Sequence, residues 1–236
     1  MKIHIYSIVR NDRYILPYFL RHYSTFVDRI FIIDDHSTDD TAEIARANPK
    51  VTLLLFEYNR GMNEDDFNDC FEKSYKKYSR GIADWVMCVD SDEFIYNKDI
   101  VKKLERQYLN GNHLLKSEGY MMVSENLPQG YGQIYDECKK GIRVKEYDKT
   151  VVFNPDINVA FGHGRHSTRC LDGAIAVDAE MLLLHYRYLS REYFIERSTH
   201  LFERCNFDQK TRNYRMKRGL RWYDDILKSK LLVDVI

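Results

Sequence analysis

The sequence predicts an α/β protein: a mainly parallel central sheet flanked by helices, with a C-terminal helical segment. Three observations carry this. Short β-branched runs alternate with amphipathic helical stretches over the first 95 or so residues, the pattern of βαβ units. Each run breaks at a polar cluster rich in Asp, Asn or Ser. The 236 residues are 44% hydrophobic and 14% aromatic, enough for a sizeable core and against global disorder.

Residues 3–9 (Ile-His-Ile-Tyr-Ser-Ile-Val) read as the first strand. Residues 13–26 read as a helix, because Ile15, Leu16, Phe19, Leu20 and Tyr23 recur on one face. Pro17 falls near its first turn, where proline is tolerated. A second strand, 29–34, stops at Asp34-Asp35, and the turn and cap residues through Thr41 introduce a short helix near 40–47. Residues 51–57 form a third strand and Asn59-Arg60-Gly61 a turn. A helix over 63–79 follows from Phe67, Phe71, Tyr75 and Tyr78 at three- and four-residue steps. Residues 84–90 are a fourth strand.

Beyond residue 97 the pattern loosens. A helix is expected near 98–109 and a strand near 114–123. Residues 124–148, with Pro128, Gly130, Gly132 and Gly141, read as an irregular segment. Strands are expected at 149–154 and 174–186, and helices at 190–204 and 211–232.

Charge excludes some functions. Lys and Arg number 36 and Asp and Glu 36, so there is no globally basic surface of the kind nucleic-acid binders carry, and no nucleic-acid partner is expected. The neutrality is an average. Residues 204–236 hold nine basic and four acidic residues, a net of +5, and the remainder is at −5. The basic run is accompanied by Trp222, Tyr223, Ile226, Leu227, Leu231 and Leu232. Such a segment, 211–236, fits peripheral contact with an anionic membrane, a helix packed on the body with a solvated basic face, or a homodimer contact. The five cysteines are scattered without a CxxC pair, which fits reduced thiols. No secretory signal and no apolar run of about 20 residues are read, so the expectation is a cytoplasmic protein, or one peripheral at the inner face of a membrane.

In open α/β sheets ligands sit beyond the carboxyl ends of the strands. Arg10-Asn11-Asp12, Asp34-Asp35, Asn59-Arg60-Gly61 and Asp90-Ser91-Asp92 all fall at such ends. Two carboxylates one residue apart, with Glu93 next to them, suit a hard divalent cation, Mn²⁺ or Mg²⁺. Asp34 and Asp35 suit hydrogen bonds to a base and ribose, or a helix cap. Gly162-His163-Gly164-Arg165-His166 suits an anionic ligand or a substrate rim.

Ser7 through Asp12, Ile32 through Thr41, and Asp84-Trp85 leading to Val89-Asp90-Ser91-Asp92-Glu93-Phe94 resemble GT-A (Rossmann-like) glycosyltransferases. More narrowly, they resemble the family-2-like branch with a "DW…DxDEF" signature, which includes many bacterial and viral surface-glycan enzymes. Leu184-His185-Tyr186-Arg187-Tyr188, with Ser190, Phe194 and Arg197, is similar to that branch's C-terminal "HY" motif.

The resemblance implies a catalytic domain over 1–204, with a nucleotide-binding half at 1–96 and an acceptor half at 97–204, and a basic helical tail at 205–236. It implies a nucleotide-sugar donor, UDP-sugar favoured, a divalent metal, and a glycan or glycolipid acceptor. Asp35 and Asp34 would hold the uracil and ribose side, and Asp90 the ribose or the metal. Asp92 would ligate the metal, and His185 would be a metal ligand or diphosphate contact. Arg10, Asn11 and Arg187 would complete the nucleotide side, with Lys149 a further cation. His36 stands where the branch usually has a small residue.

For an inverting reaction the expectation is a carboxylate base that deprotonates the acceptor hydroxyl. Glu125 is the first choice and Asp156 the second, with Asp178 and Glu180 as further options; a retaining reaction removes the need. Three rivals remain. A Mg²⁺-dependent phosphohydrolase normally places its Asp-x-Asp after the first strand rather than the fourth. A nucleotidyltransferase wants a Gly-rich basic loop after strand one, which Arg10-Asn11-Asp12-Arg13 is not. A non-catalytic sugar-binding module fits poorly with acids intact at 34, 35, 90 and 92.

Overall fold

The computed structural model describes residues 1–57, 63–205 and 207–236. The turn expected at Asn59–Gly61 lies outside them. In chain order the elements are β1 (Ile3–Val9), α1 (Leu16–Tyr23), β2 (Arg29–Asp34), α2 (Thr41–Arg46), β3 (Val51–Leu55), α3 (Glu64–Tyr78), β4 (Trp85–Cys88) and β5 (Glu93–Tyr96). Then come α4 (Ile100–Leu109), β6 (Leu114–Val123), α5 (Ile134–Glu137), β7 (Lys140–Arg143), β8 (Lys149–Phe153), β9 (Val159–Phe161) and β10 (Thr168–Cys170). The chain ends with β11 (Val177–Tyr188), α6 (Arg191–Arg204), α7 (Gln209–Leu227) and β12 (Val233–Asp234).

The sheet runs β12-β7-β6-β8-β4-β1-β2-β3, with β11 joining β6 to β5. The pairs β1/β2, β2/β3 and β1/β4 are parallel, as alternating strands and helices require. The second half reverses direction. β8 lies antiparallel to both β4 and β6, and β11 runs antiparallel to β5 but parallel to β6. The sheet is therefore mixed, with its parallel part concentrated in the first half.

Residue alternation sends β1 side chains to two cores. Ile3 and Ile5 pack with Phe19, Tyr23, Ile32, Trp85 and Phe94 on one face. Tyr6 packs with Phe31, Phe71, Tyr75 and Phe153 on the other. Strand β5 is absent from the sequence reading because Glu93-Phe94-Ile95-Tyr96 follows the Asp-Ser-Asp turn without a break. It becomes a strand by pairing with β11, Glu93 opposite His185.

The basic tail folds back on the body. Tyr223 and Ile226 of α7 are buried with Met121, Val123, Tyr188 and Phe194, and Trp222, Leu227 and Leu232 pack around them. The Tyr223 hydroxyl donates to the Ser124 carbonyl at 2.7 Å, Arg191 pairs with Asp224 at 2.8 Å, and β12 adds to β7. The apolar face that membrane contact through 211–236 would require is thus mostly covered, leaving Lys210, Lys217, Arg218 and Arg221 to solvent. Ile226→Ala is expected to cost about 2–5 kcal/mol of stability, read by urea unfolding, because it opens a cavity in this cluster. A loss under 1 kcal/mol would show the tail to be loosely attached. Among the described residues no helix is long and apolar enough to cross a membrane.

Candidate active site

Strand direction decides which residues meet. The ends of β1 and β4, the starts of β5 and β8, the end of β11, one face of α6 and the loop 162–166 surround a cavity of about 320 Å³. Arg10, Asn11 and Asp12 enter from β1, Asp90 through Glu93 from the β4–β5 turn, and Lys149 from β8. His185 and Arg187 enter from β11, Arg197 from α6, and His163, Arg165 and His166 from the loop.

The carboxylates at its centre are each matched to a cation. Glu93 is fully buried and bonds Lys149, itself 2% exposed, at 2.5 Å. Its other oxygen accepts from the Asp90 N–H at 3.2 Å, which fixes the turn. Asp90 forms an ion pair with Arg165. Burial pushes the Asp90 carboxyl up, but Arg165 and Lys149 outweigh it and hold the group below the usual carboxylate range. Asp92 lies 3.4 Å from Arg197 and 3.3 Å from His185 Nε2. Burial again opposes its charge, and Arg197 with His185 more than compensates, holding Asp92 well below the usual range.

Arg197 ties three elements together. Its guanidinium reaches Asp12 at 3.6 Å and Asp92, donates to Ser91 Oγ at 3.3 Å, and donates to the Tyr193 hydroxyl at 2.9 Å. Ser91 in turn donates to Asp12 at 2.8 Å. Burial raises the Asp12 carboxyl against the pull of Arg197. The Ser190 hydroxyl caps α6 by accepting from the Tyr193 N–H at 3.1 Å, and the four-residue step then stacks Arg197 over Tyr193.

Arg165 is placed by an unusual backbone. Gly164 and Arg165 have φ of 59° and 54°, so the loop turns twice through the left-handed region. Glu64 accepts from the Gly164 N–H at 3.1 Å, and Asn68 donates to the Phe161 carbonyl at 3.2 Å. These contacts from α3 aim Arg165 across the Phe71 ring, 4.8 Å from its centroid, onto Asp90.

Of the expected nucleotide residues, Arg10, Asn11, Asp90 and Arg187 line this cavity, whereas Asp34 and Asp35 do not, and Asp35 connects to it through Arg10. Asp34 and Asp35, 8% and 4% exposed, end β2. Asp34 accepts from the Ser37 N–H at 3.3 Å, and Asp35 pairs with Arg10 at 3.6 Å. Asn11 laces the two loops: its N–H donates to Ser37 Oγ at 3.0 Å and its Oδ1 accepts from the Thr38 N–H at 2.8 Å. His36 is exposed, with φ of 54°.

Neither carboxylate expected as a base lies in the cavity. Asp156 is exposed at the opposite edge of the sheet, because β8 runs antiparallel: Lys149 starts at the site and Asn154 ends beside Asp84. It accepts instead from the Gly81 N–H at 2.9 Å. Glu125 is exposed past the end of β6, where its charge falls on Tyr223 of α7. Asp178 and Glu180 start β11, far from His185 at its other end, and Glu180 pairs with Lys103 and Arg106.

The three expected metal ligands are also divided. Asp92 adjoins His185, whereas Asp90 is turned to Arg165, and among the described residues no three His, Cys, Asp or Glu side chains converge into a cage. The remaining pair still suits a cation completed by substrate phosphates and water, the usual way Mg²⁺-type ions are held. His185 Nδ1 is buried without a hydrogen-bond partner among the described residues, a polar atom left for a ligand to satisfy.

Arg165, Arg197 and Asp12 carry more of this site than the sequence reading assigned them. The periodicity of α6, with Tyr193, Arg197 and Leu201 on one face, is the sequence signal for Arg197.

The family model described as glycosyl transferase family 2 matches residues 19–161. No curated protein matches the sequence. Among solved structures, Staphylococcus aureus TarS is similar at 15% identity and a TM-score of 0.45 over 90% of this chain, which spans 41% of that one. Glucosyl-3-phosphoglycerate synthase from Mycobacterium tuberculosis, solved with Mn²⁺, UDP and glucosyl-3-phosphoglycerate, is similar at 15% identity and 0.46, over 88% of this chain and 81% of its own. A further mycobacterial protein is similar at 16% identity and 0.48, over 89% and 76%. The family match spans more than half of the chain, so this protein belongs to glycosyl transferase family 2.

Proposed function

We propose that the protein transfers a sugar from a UDP-sugar to a hydroxyl of a glycan or glycolipid, with inversion at the anomeric carbon and with Mn²⁺ or Mg²⁺ bound. The observation that carries this reading is the Asp92–His185 pair, 3.3 Å apart beside Asp90, in a cavity that also holds Lys149, Arg165, Arg187 and Arg197. Bond breaking leaves negative charge on a diphosphate. When bound, a divalent ion supplies Lewis-acid stabilisation of that charge.

The chain's own groups do the rest. Asp34 and Asp35 sit where a ribose and base would follow the β1 and β2 ends. Arg187 lines the cavity, near enough to Asp92 to favour its charge but in no salt bridge among the described residues, so it can meet a phosphate. Arg165 and Arg197 hold Asp90 and Asp92 ionised, and the Glu93–Lys149 pair holds the turn that presents them. Fixed cations in a partly dry cleft need no reorganisation as the leaving group departs.

Calorimetric titration of UDP tests the reading. Mn²⁺ is expected to tighten UDP binding by about tenfold or more, near 1.4 kcal/mol. Equal affinity with Mn²⁺ and with a chelator would remove the metal from the site.

A further inference from the structure

The cavity poses a question of proton transfer. Its carboxylates are engaged: Asp90 with Arg165, Asp92 with Arg197, Glu93 with Lys149, Asp12 with Ser91 and Arg197, and Glu64 with the Gly164 N–H. A carboxylate neutralised by a neighbouring cation, as Asp90, Asp92 and Glu93 are, is a poor proton acceptor, while Asp12 and Glu64 accept from Ser91 and from the Gly164 N–H.

His166 is different. Its Nδ1 lies 2.6 Å from the Glu146 carbonyl oxygen, an atom that can only accept. Nδ1 therefore carries the hydrogen, and Nε2 is left with a free lone pair. The ring packs against Tyr147, centroids 5.3 Å apart, and Tyr147 also packs against His185, centroids 4.8 Å apart. Position 164 must be glycine for this to hold, since a Cβ there would come within 3.1 Å of Nε2 and 2.8 Å of Cδ2. The imidazole is thus fixed in tautomer and orientation at an exposed edge of the cavity, where an acceptor would enter.

We propose that His166 is the general base of the transfer reaction, a role that rests on the inverting reading above. The acceptor oxygen forms its bond to the anomeric carbon as the bond from that carbon to the β-phosphate oxygen breaks. The electron pair of the broken bond leaves with UDP, and the hydroxyl proton passes to Nε2. The resulting imidazolium keeps its Nδ1–H on Glu146 and returns the proton to solvent through its exposed edge. The charged groups facing the ring favour the neutral starting state. Burial lowers its pKa from the ordinary histidine value, and Lys149 of β8 adds to this. The Glu146 carbonyl and Glu93 of β5 oppose it, and His185 of β11 lowers it slightly further.

The test uses the full chain with Mn²⁺. UDP release is followed from UDP-glucose, UDP-galactose and UDP-N-acetylglucosamine, with p-nitrophenyl hexosides as probe acceptors. His166→Asn, which keeps a donor near Nδ1, and His166→Gln are each expected to lower kcat by about 10²–10⁴-fold. UDP affinity should stay within threefold of wild type, and the fall in wild-type kcat towards acid pH should disappear. Added imidazole should restore part of the rate. Wild-type kcat with an unchanged acid limb in both variants would overturn the proposal. So would a kcat loss matched by an equal loss of UDP affinity, which would make His166 a donor contact. Disappearance of the limb in Glu64→Gln instead would move the role to that carboxylate. UDP binding by wild type with no turnover of any donor would sink the transfer reading itself, and the base with it.

Discussion

Asp92→Asn is expected to lower transfer by about 10³-fold while the protein stays folded, the scale seen when one preorganised electrostatic contact to a transition state is removed. The substitution keeps shape and removes charge. In wild type the buried carboxylate, 4% exposed, faces Arg197 at 3.4 Å and His185 at 3.3 Å. Asn leaves Arg197 with Asp12 as its remaining carboxylate and takes the anionic oxygen from the proposed cation position.

Stability should respond with a definite sign. The folded-state pKa of Asp92 is depressed below its unfolded value, since Arg197 and His185 outweigh burial. Its contribution is therefore present above the ordinary carboxylate range and is lost as pH falls through the depressed value. Wild type should keep its full advantage over Asp92→Asn above the ordinary carboxylate range, lose it progressively as pH falls below that range, and lose it completely only in strong acid. UDP release and thermal melts from pH 3 to 7 check both halves. Full activity would take Asp92 out of the site, and a difference in melting temperature that is constant from pH 7 to about 5 and shrinks towards pH 3 is the expected partner result.

Lys149→Met should have the largest effect on stability, about 3–5 kcal/mol, because it strands Glu93 as an uncompensated buried charge. Lys149 and Glu93 are 2% and 0% exposed and 2.5 Å apart. Glu93→Gln combined with Lys149→Met removes both charges and should recover much of the loss, so the double-mutant cycle should show strong coupling. The cycle is read from urea unfolding of the four proteins. A single-variant cost below 1 kcal/mol, or additivity within 0.5 kcal/mol, would show that the pair does not hold the β4–β5 turn.

Much of the site was legible because strand ends announce themselves. Arg10, Asp34 and Asp90 each close a β-branched run, and a parallel sheet brings such ends to one side. The carboxylate expected as base was misplaced for a related reason. Asp156 also closes a strand, but β8 runs the other way, and strand direction leaves no mark in a five-residue apolar run such as Lys-Thr-Val-Val-Phe. Glu125 follows β6 at the site end of the sheet, yet the chain turns beside α7 and carries it out of the cavity. The short β5 and β12 were missed because two- to four-residue strands have too little periodicity to register and exist by virtue of their partners.

The sequence by itself determined the fold class, the parallel first half and the Asp-x-Asp corner, since each rests on local periodicity and turn chemistry. It also showed the basic tail but left its place open. Only the tertiary structure decided that the tail's apolar face is covered, that Arg165 and Arg197 neutralise Asp90 and Asp92, and that His166 holds its free nitrogen at the cavity edge. Those facts depend on residues 20 to 106 positions apart meeting in the tertiary structure, and no local pattern records such meetings.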